Sequence, residues 1–163
     1  MSDEVRATTS QYLTFMLAEE QYAVQVYDVK EVLEYTTVTR VPRTQDFMRG
    51  VINLRGSVVP VIDLRLKFGM GETEKTIDTS IIVMEVEINN DKVTVGTLAD
   101  SVQEVINLDE EQIEPAPQIG TRIKTEFIRG IGKQDEQFII ILDIDRIFSE
   151  DEISMVVEEA VTK

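Results

Sequence analysis

FMRGVINLRGSVVPVIDLRLKF, residues Phe47 to Phe68, holds two apolar runs parted by Asn53, Leu54, Arg55 and Gly56. Val58 to Ile62 is continuous and mostly β-branched, as expected of a strand covered on both faces. Pro60 has no N–H to donate, which predicts a strand at a sheet edge or beside a bulge. The stretch recurs as FIRGIGKQDEQFIIILDIDRIF, Phe127 to Phe148, aligned without a gap at a constant offset of 80 residues. Phe47/Phe127, Arg49/Arg129, Gly50/Gly130, Asp63/Asp143 and Phe68/Phe148 are identical. Upstream, Val29-Lys-Glu31-Val32 recurs as Val102-Gln-Glu104-Val105 and Pro42 as Pro115, both at offset 73. The difference between the offsets places a longer loop between Pro115 and Phe127. Repetition of this kind sets the architecture.

The chain therefore reads as two halves of one design, the first centred on about residues 20–75 and the second on about 80–148, with terminal strands free to cross over. Gly69 to Lys75 belongs to the passage between them. Tyr12–Leu17 and Tyr22–Val26 alternate around a polar turn and predict a hairpin. Thr79–Ile88 and Lys92–Ala99 predict another, through Asn89-Asn90-Asp91, whose residues tolerate positive φ. Gly132–Glu136 joins the last pair. Many short strands with turn signals point to a mostly β fold of small barrels. Asp28 to Glu31 fits a capping box and predicts one helical turn. Ser149 to Glu152 fits the same box, and Ile153, Val156, Val157 and Ala160 then share one face, predicting a C-terminal helix over 149–163.

The bulk numbers exclude several classes of function. The 163 residues are 42% hydrophobic and carry a net charge of −15. A chain this acidic is a poor nucleic-acid or membrane-surface binder, since both partners are anionic. No apolar stretch approaches the ~20 residues a membrane helix needs, and the first ten residues lack the features of a secretory signal. A cytoplasmic protein is the simplest reading. There is no cysteine and no histidine, which removes thiol nucleophiles, disulfides, Ser-His pairs and nearly every zinc site. No Gly-rich phosphate loop is present. No enzyme activity and no cofactor are expected.

Asp143 and Asp145 could serve a metal or acid–base chemistry. Asp143, however, echoes Asp63, and a shared cap for the turn that follows explains both. No metal site and no catalytic residue are expected. Arg55 is the sharper case. The matching loop of the second half reads Lys133-Gln-Asp-Glu136, an ordinary polar turn, so the first half departs from the common scaffold at its tip. One reading makes Arg55 a handle for another protein, a planar guanidinium beside Leu54 and the valines. The other makes it half of an internal ion pair, for example with Asp63. Glu31 gains weight as a contact residue because it shares the half that holds Arg55; Glu104 reads as a solvated position.

The segments Tyr22-Ala-Val, Val29-Lys-Glu-Val, Thr39-Arg-Val-Pro42, Phe47 to Gly56, Val58 to Arg65, Ile81-Ile-Val, Asp100 to Val105, Pro115-Ala-Pro117 and Ile140 to Asp145 resemble the CheW family of chemotaxis coupling proteins, over roughly Tyr12 to Phe148. The resemblance implies two SH3-like five-stranded barrels around a shared core. It implies a non-enzymatic adaptor that links the cytoplasmic tips of methyl-accepting chemoreceptors to the regulatory domain of the histidine kinase CheA. Such a protein is cytoplasmic and recruited to membrane receptor arrays, with no direct membrane insertion. Carried over by position, Arg55 and Gly56 fall in the coupling NLRG segment, Val29, Glu31 and Val32 in the V-x-E-V contact segment, and Ile81, Ile82 and Val105 on the receptor groove. Gln45-Asp46 before Phe47 departs from a common proline. The alternative is a CheW-like regulatory module of a larger signalling protein, either a kinase regulatory domain or a receiver-fused coupling protein. A start at Met1 and the lack of ATP-binding or receiver motifs favour the adaptor.

Overall fold

The computed structural model describes residues 9–88, 90–116 and 125–148. The expected C-terminal helix, Pro117 and Asn89 lie outside these residues. The fold is mostly β, in two sheets. In chain order the strands are β1 (Thr9–Leu17), β2 (Glu20–Gln25), β3 (Val29–Glu34), β4 (Met48–Leu54), β5 (Ser57–Asp63), β6 (Ser80–Ile88), β7 (Asp91–Ala99), β8 (Ser101–Asp109), β9 (Ile113–Glu114), β10 (Ile128–Gln134) and β11 (Gln137–Leu142). Single helical turns α1 (Leu64–Lys67) and α2 (Ile144–Ile147) follow β5 and β11.

The six-stranded sheet runs β8-β1-β2-β11-β10-β9 and the five-stranded sheet β3-β6-β7-β5-β4. The hairpins cross between the halves. The β1/β2 hairpin enters the sheet built from β8 to β11, and β6/β7 enters the sheet of β3 to β5. Each lodges through a parallel pair, β2 with β11 and β7 with β5, in an otherwise antiparallel sheet. In the repeat, β3 thus corresponds to β8, β4 to β10 and β5 to β11.

The shared Phe-x-Arg-Gly…Asp framework has a physical cause. Both β4/β5 and β10/β11 ladders slip at the arginine, between Met48 and Gly50 and between Ile128 and Gly130. Such a bulge bends its strand. Beyond it Asp63 donates its N–H to the Phe47 carbonyl at 2.7 Å, and Asp143 to that of Phe127 at 2.9 Å. Glycine follows the bulge because another strand passes close by. A Cβ on Gly50, at φ +141°, would lie 2.0 Å from the Thr39 carbonyl oxygen. Thr39 and Val51 exchange backbone hydrogen bonds, both 2.8 Å, so the chain leaving β3 folds onto β4 and the outer strands of this sheet approach each other.

Each sheet encloses its own small cluster. Ile52, Val59, Val61, Ile81, Val83 and Leu98 fill the five-stranded one. Tyr12, Ala23, Ile106, Leu108, Ile139 and Ile141 fill the six-stranded one. A larger core lies between the sheets, where Phe15, Tyr22 and Val24 meet Ile62, Ile82 and Met84, with Phe68 and Phe148. Burying a side chain of this size contributes roughly 1.5–3 kcal/mol before ordering costs.

Two local expectations are corrected and a third is narrowed. Asp28 to Glu31 is not a helical turn. A 3-10 turn occupies Val26–Asp28, and Glu31 lies in β3, where half-buried and exposed positions alternate and the strand pairs with β6. Of the two places expected for Pro60 the structure shows the bulge and not the edge: β5 lies between β7 and β4, and its ladder with β4 slips just beyond Pro60, where Val61 and Ile62 face Gly50 and Met48. Pro60 is tolerated because pairing with β7 begins one residue later, at Val61. The cap is not shared. The Asp63 carboxylate accepts from the N–H groups of Arg65 and Leu66, whereas the Asp143 side chain caps nothing.

Candidate functional site

The tip between β4 and β5 is a two-residue turn with both central residues at positive φ, Arg55 at +50° and Gly56 at +88°. That pattern matches the right-handed twist of the flanking strands. Asn53 steadies it, its Oδ1 accepting from the Gly56 N–H at 2.8 Å. The twin turn between β10 and β11 has the same backbone, with Asp135 at +48° and Glu136 at +66°. The two tips share a shape and differ in chemistry.

Arg55 forks onto Glu31. Nη1 donates to Oε2 at 2.6 Å and Nη2 to Oε1 at 2.9 Å, the bidentate geometry that a planar guanidinium favours. Glu31 belongs to β3, so the fork spans the two outer strands of the five-stranded sheet. The Arg55 side chain stays 72% exposed, against 27% for Glu31. The fork holds the Glu31 carboxyl below its ordinary range, first by hydrogen bonding and then by charge, and raises the Arg55 guanidinium in turn. At the twin positions stand Glu104 and Asp135, two acids that cannot make such a pair.

Beside the fork lies a groove of about 450 Å³ with Leu54, Val58 and Val93 among its apolar residues and Lys30 and Lys92 among its charged ones. Val58 is 45% exposed. Apolar surface ringed by charge and holding an exposed arginine has the composition of an interaction centre.

Asp63 is not the partner of Arg55. It is buried, 3.1 Å from Arg49, and also accepts from the Thr73 N–H and Oγ1. Val32 and Gly56 are exposed and Val29 half-buried, all in the five-stranded sheet or its tip. Val105 is half exposed on β8, in the other sheet. Ile81 and Ile82, expected on a partner groove, are corrected here. Both are fully buried, because β6 is covered on both faces, Ile81 by its own sheet's cluster and Ile82 by the core between sheets. They offer a partner no surface. Lys30, Lys92 and Val58 were missed as rim residues. Lys30 adjoins Glu31 in sequence, but Lys92 reaches the rim only through strand pairing.

Asp145 lies far from a metal-ligand set. Its Oδ1 accepts from the Glu87 N–H at 2.9 Å, and among the described residues no cluster of carboxylates could hold a metal ion. Across from it the Asp28 carboxyl is pushed up by burial and by the charges of Asp145 and Asp143, with Arg129 opposing. No helix among the described residues is long and apolar enough to cross a membrane.

Two twinned β sheets around one core, with an exposed, charge-forked hairpin on one of them, define a β scaffold. Residues 11–152 match the CheW-like domain family. The chain is 38% identical to the chemotaxis protein CheW of Klebsiella aerogenes, covering 90% of this chain and 86% of that one. It is 34% identical to CheW of Bacillus subtilis, covering 93% and 94%. The crystal structure of the scaffolding protein TtCheW from Thermoanaerobacter tengcongensis superimposes with a TM-score of 0.77 at 40% identity, over 88% of this chain and 90% of that one. The chain belongs to the CheW family of chemotaxis scaffold proteins.

Proposed function

We propose that this protein couples methyl-accepting chemoreceptors to the histidine kinase CheA by docking alone, catalysing no reaction, and is recruited from the cytoplasm to membrane receptor arrays. The contact surface is the rim around the fork, with Val29, Glu31, Val32, Arg55 and Gly56, and Val105 across on the other sheet. The observation that carries this reading is that the Arg55 guanidinium, although ion-paired within the chain, to Glu31 and not Asp63, stays 72% exposed and held in a fixed direction. A preoriented charge beside Val58 gives a partner both direction and apolar area, with less side-chain freedom to lose on binding. The relatives quoted above carry the CheW name and are spanned over 86% and 94% of their length, which favours the adaptor over a regulatory module of a larger protein.

The test is Arg55→Ala in a reconstituted receptor–CheA phosphorylation assay, beside thermal melting. The expected result is an unchanged melting temperature with kinase output no longer governed by receptor. A large drop in melting temperature with coupling intact would assign Arg55 to the fold instead.

A further inference from the structure

The internal repeat predicts a twin for the groove beside Arg55, and the structure contains one. At the offset of 80 residues, Val58 and Pro60 become Phe138 and Ile140. These residues and Met16 line a groove of about 520 Å³ on the six-stranded sheet, rimmed by Glu19 and Glu20 of the β1–β2 turn and by Gln103 of β8. Phe138 is 64% exposed. Unlike the more exposed Ile77, this ring lies in a groove, where a partner's side chain could cover it.

The two grooves share a plan and carry opposite charge. The first is rimmed by Lys30, Arg55 and Lys92 against Glu31. None of the described residues lining the second is basic. The next turn along, Asp135-Glu136, adds two more exposed acids immediately before Gln137. The rim is also held in place. The Asp100 carboxylate accepts from the Ala18 N–H at 2.8 Å and is itself gripped by Arg65 at 3.2 Å, so the turn that presents Glu19 and Glu20 is tied to α1. A groove fixed in shape loses little entropy when it is filled.

We propose that the Phe138 groove docks a basic, apolar segment of a partner protein, one aliphatic or aromatic side chain seated on Phe138 and Ile140 with lysines or arginines meeting Glu19 and Glu20. Charge complementarity selects this occupant. An acidic segment would bring like charges together, since the cation across the strand from Phe138, Lys133, is already taken by Glu114 at 2.6 Å, and the opposite polarity of the Arg55 groove keeps the two sites from competing for one ligand.

The experiment uses the full chain, isotopically labelled, titrated with a short peptide alternating leucine and lysine and with its counterpart carrying glutamate for lysine. The lysine peptide is expected to bind saturably, to move the amide signals of Met16, Gln21, Gln103, Phe138 and Ile140, and to weaken as salt is raised. Phe138→Ser should weaken it about tenfold or more, and the Glu19→Gln, Glu20→Gln pair should flatten the salt dependence. Ile77→Ser, at an exposed apolar residue outside the groove, should change neither. Melting curves on each variant establish that the fold survives. The proposal is overturned if the shifts spread over the acidic surface and ignore Phe138→Ser, or if the glutamate peptide binds as well. It is also overturned if the groove is filled by a second copy of the chain, seen as concentration-dependent association that Phe138→Ser abolishes.

Discussion

Asp63 and Asp143 occupy equivalent places in the repeat, yet removing their carboxylates should have very different costs. The Asp63 side chain is fully buried and accepts five hydrogen bonds, from Arg49 Nη1, the N–H groups of Arg65, Leu66 and Thr73, and Thr73 Oγ1. Asp63→Ala removes the cap of α1 and frees the 71–79 segment at Thr73. It also leaves the Arg49 guanidinium, 16% exposed, with only Glu72 at 3.4 Å and the Thr73 carbonyl at 3.2 Å. Breaking a buried pair from one side costs about 3–5 kcal/mol. The remaining partners of Arg49 favour the low end, so a loss of about 3 kcal/mol is expected, or about 6–12 °C in melting temperature for a chain of this size. Asp143 is more exposed, caps nothing with its side chain, and meets Arg146 at 3.5 Å and Arg129 only at 4.0 Å. Asp143→Ala should cost no more than about 1 kcal/mol. Urea and thermal unfolding of both variants measure the difference. Adding Arg49→Met to Asp63→Ala should recover part of the loss, because the stranded charge goes with it. Equal losses in the two single variants would refute the reasoning.

The fork should be sensitive to acid. The Glu31 carboxyl is held below its ordinary 4.5, so the contact is complete above that pH and is lost as pH falls through the lowered value; the Glu31 carboxyl carbon signal and the Arg55 guanidinium signals should move together, and separate transitions would count against a shared fork. Exchanging the charges, Glu31→Arg with Arg55→Glu, should keep the melting temperature and lose receptor control of the kinase, since the outward charge is reversed. Asp28 is raised above 3.8, chiefly by burial and by Asp145, so a cost to folding builds as pH rises from about 3.8 and is complete above the raised value. Asp28→Asn should therefore raise the melting temperature at neutral pH and leave it unchanged near pH 3; an equal gain at both would reject the electrostatic cause. Gly56→Ala meets open space and only a left-handed backbone, a cost of about 1 kcal/mol, whereas Gly50→Ala also drives a methyl into the Thr39 carbonyl and should lose clearly more in the same melts.

The repeat was legible because its causes are local. A bulge at arginine, a glycine where a strand passes close and an aspartate bonded back to phenylalanine all lie within one hairpin, so they print the same residues at the same spacing twice. The hairpin tips were legible for the same reason, and Arg55 stood out because its twin position carries an acid. The capping-box reading of Asp28 to Glu31 failed because Val29, Val32 and Leu33 favour a strand and β6 offers one to pair with. Ile81 and Ile82 resisted reading because an apolar run shows that a strand is covered and not what covers it.

By itself the sequence determined that the protein is a twofold repeated β scaffold without thiol or imidazole chemistry, and that one hairpin tip departs from its twin. Only the tertiary structure decided which hairpin enters which sheet, since the parallel pairs β2/β11 and β5/β7 are chosen by packing between segments far apart in the chain. The same closure brings Arg55 to Glu31, a contact that spacing along the chain does not encode because it exists only when the outer strands of one sheet meet.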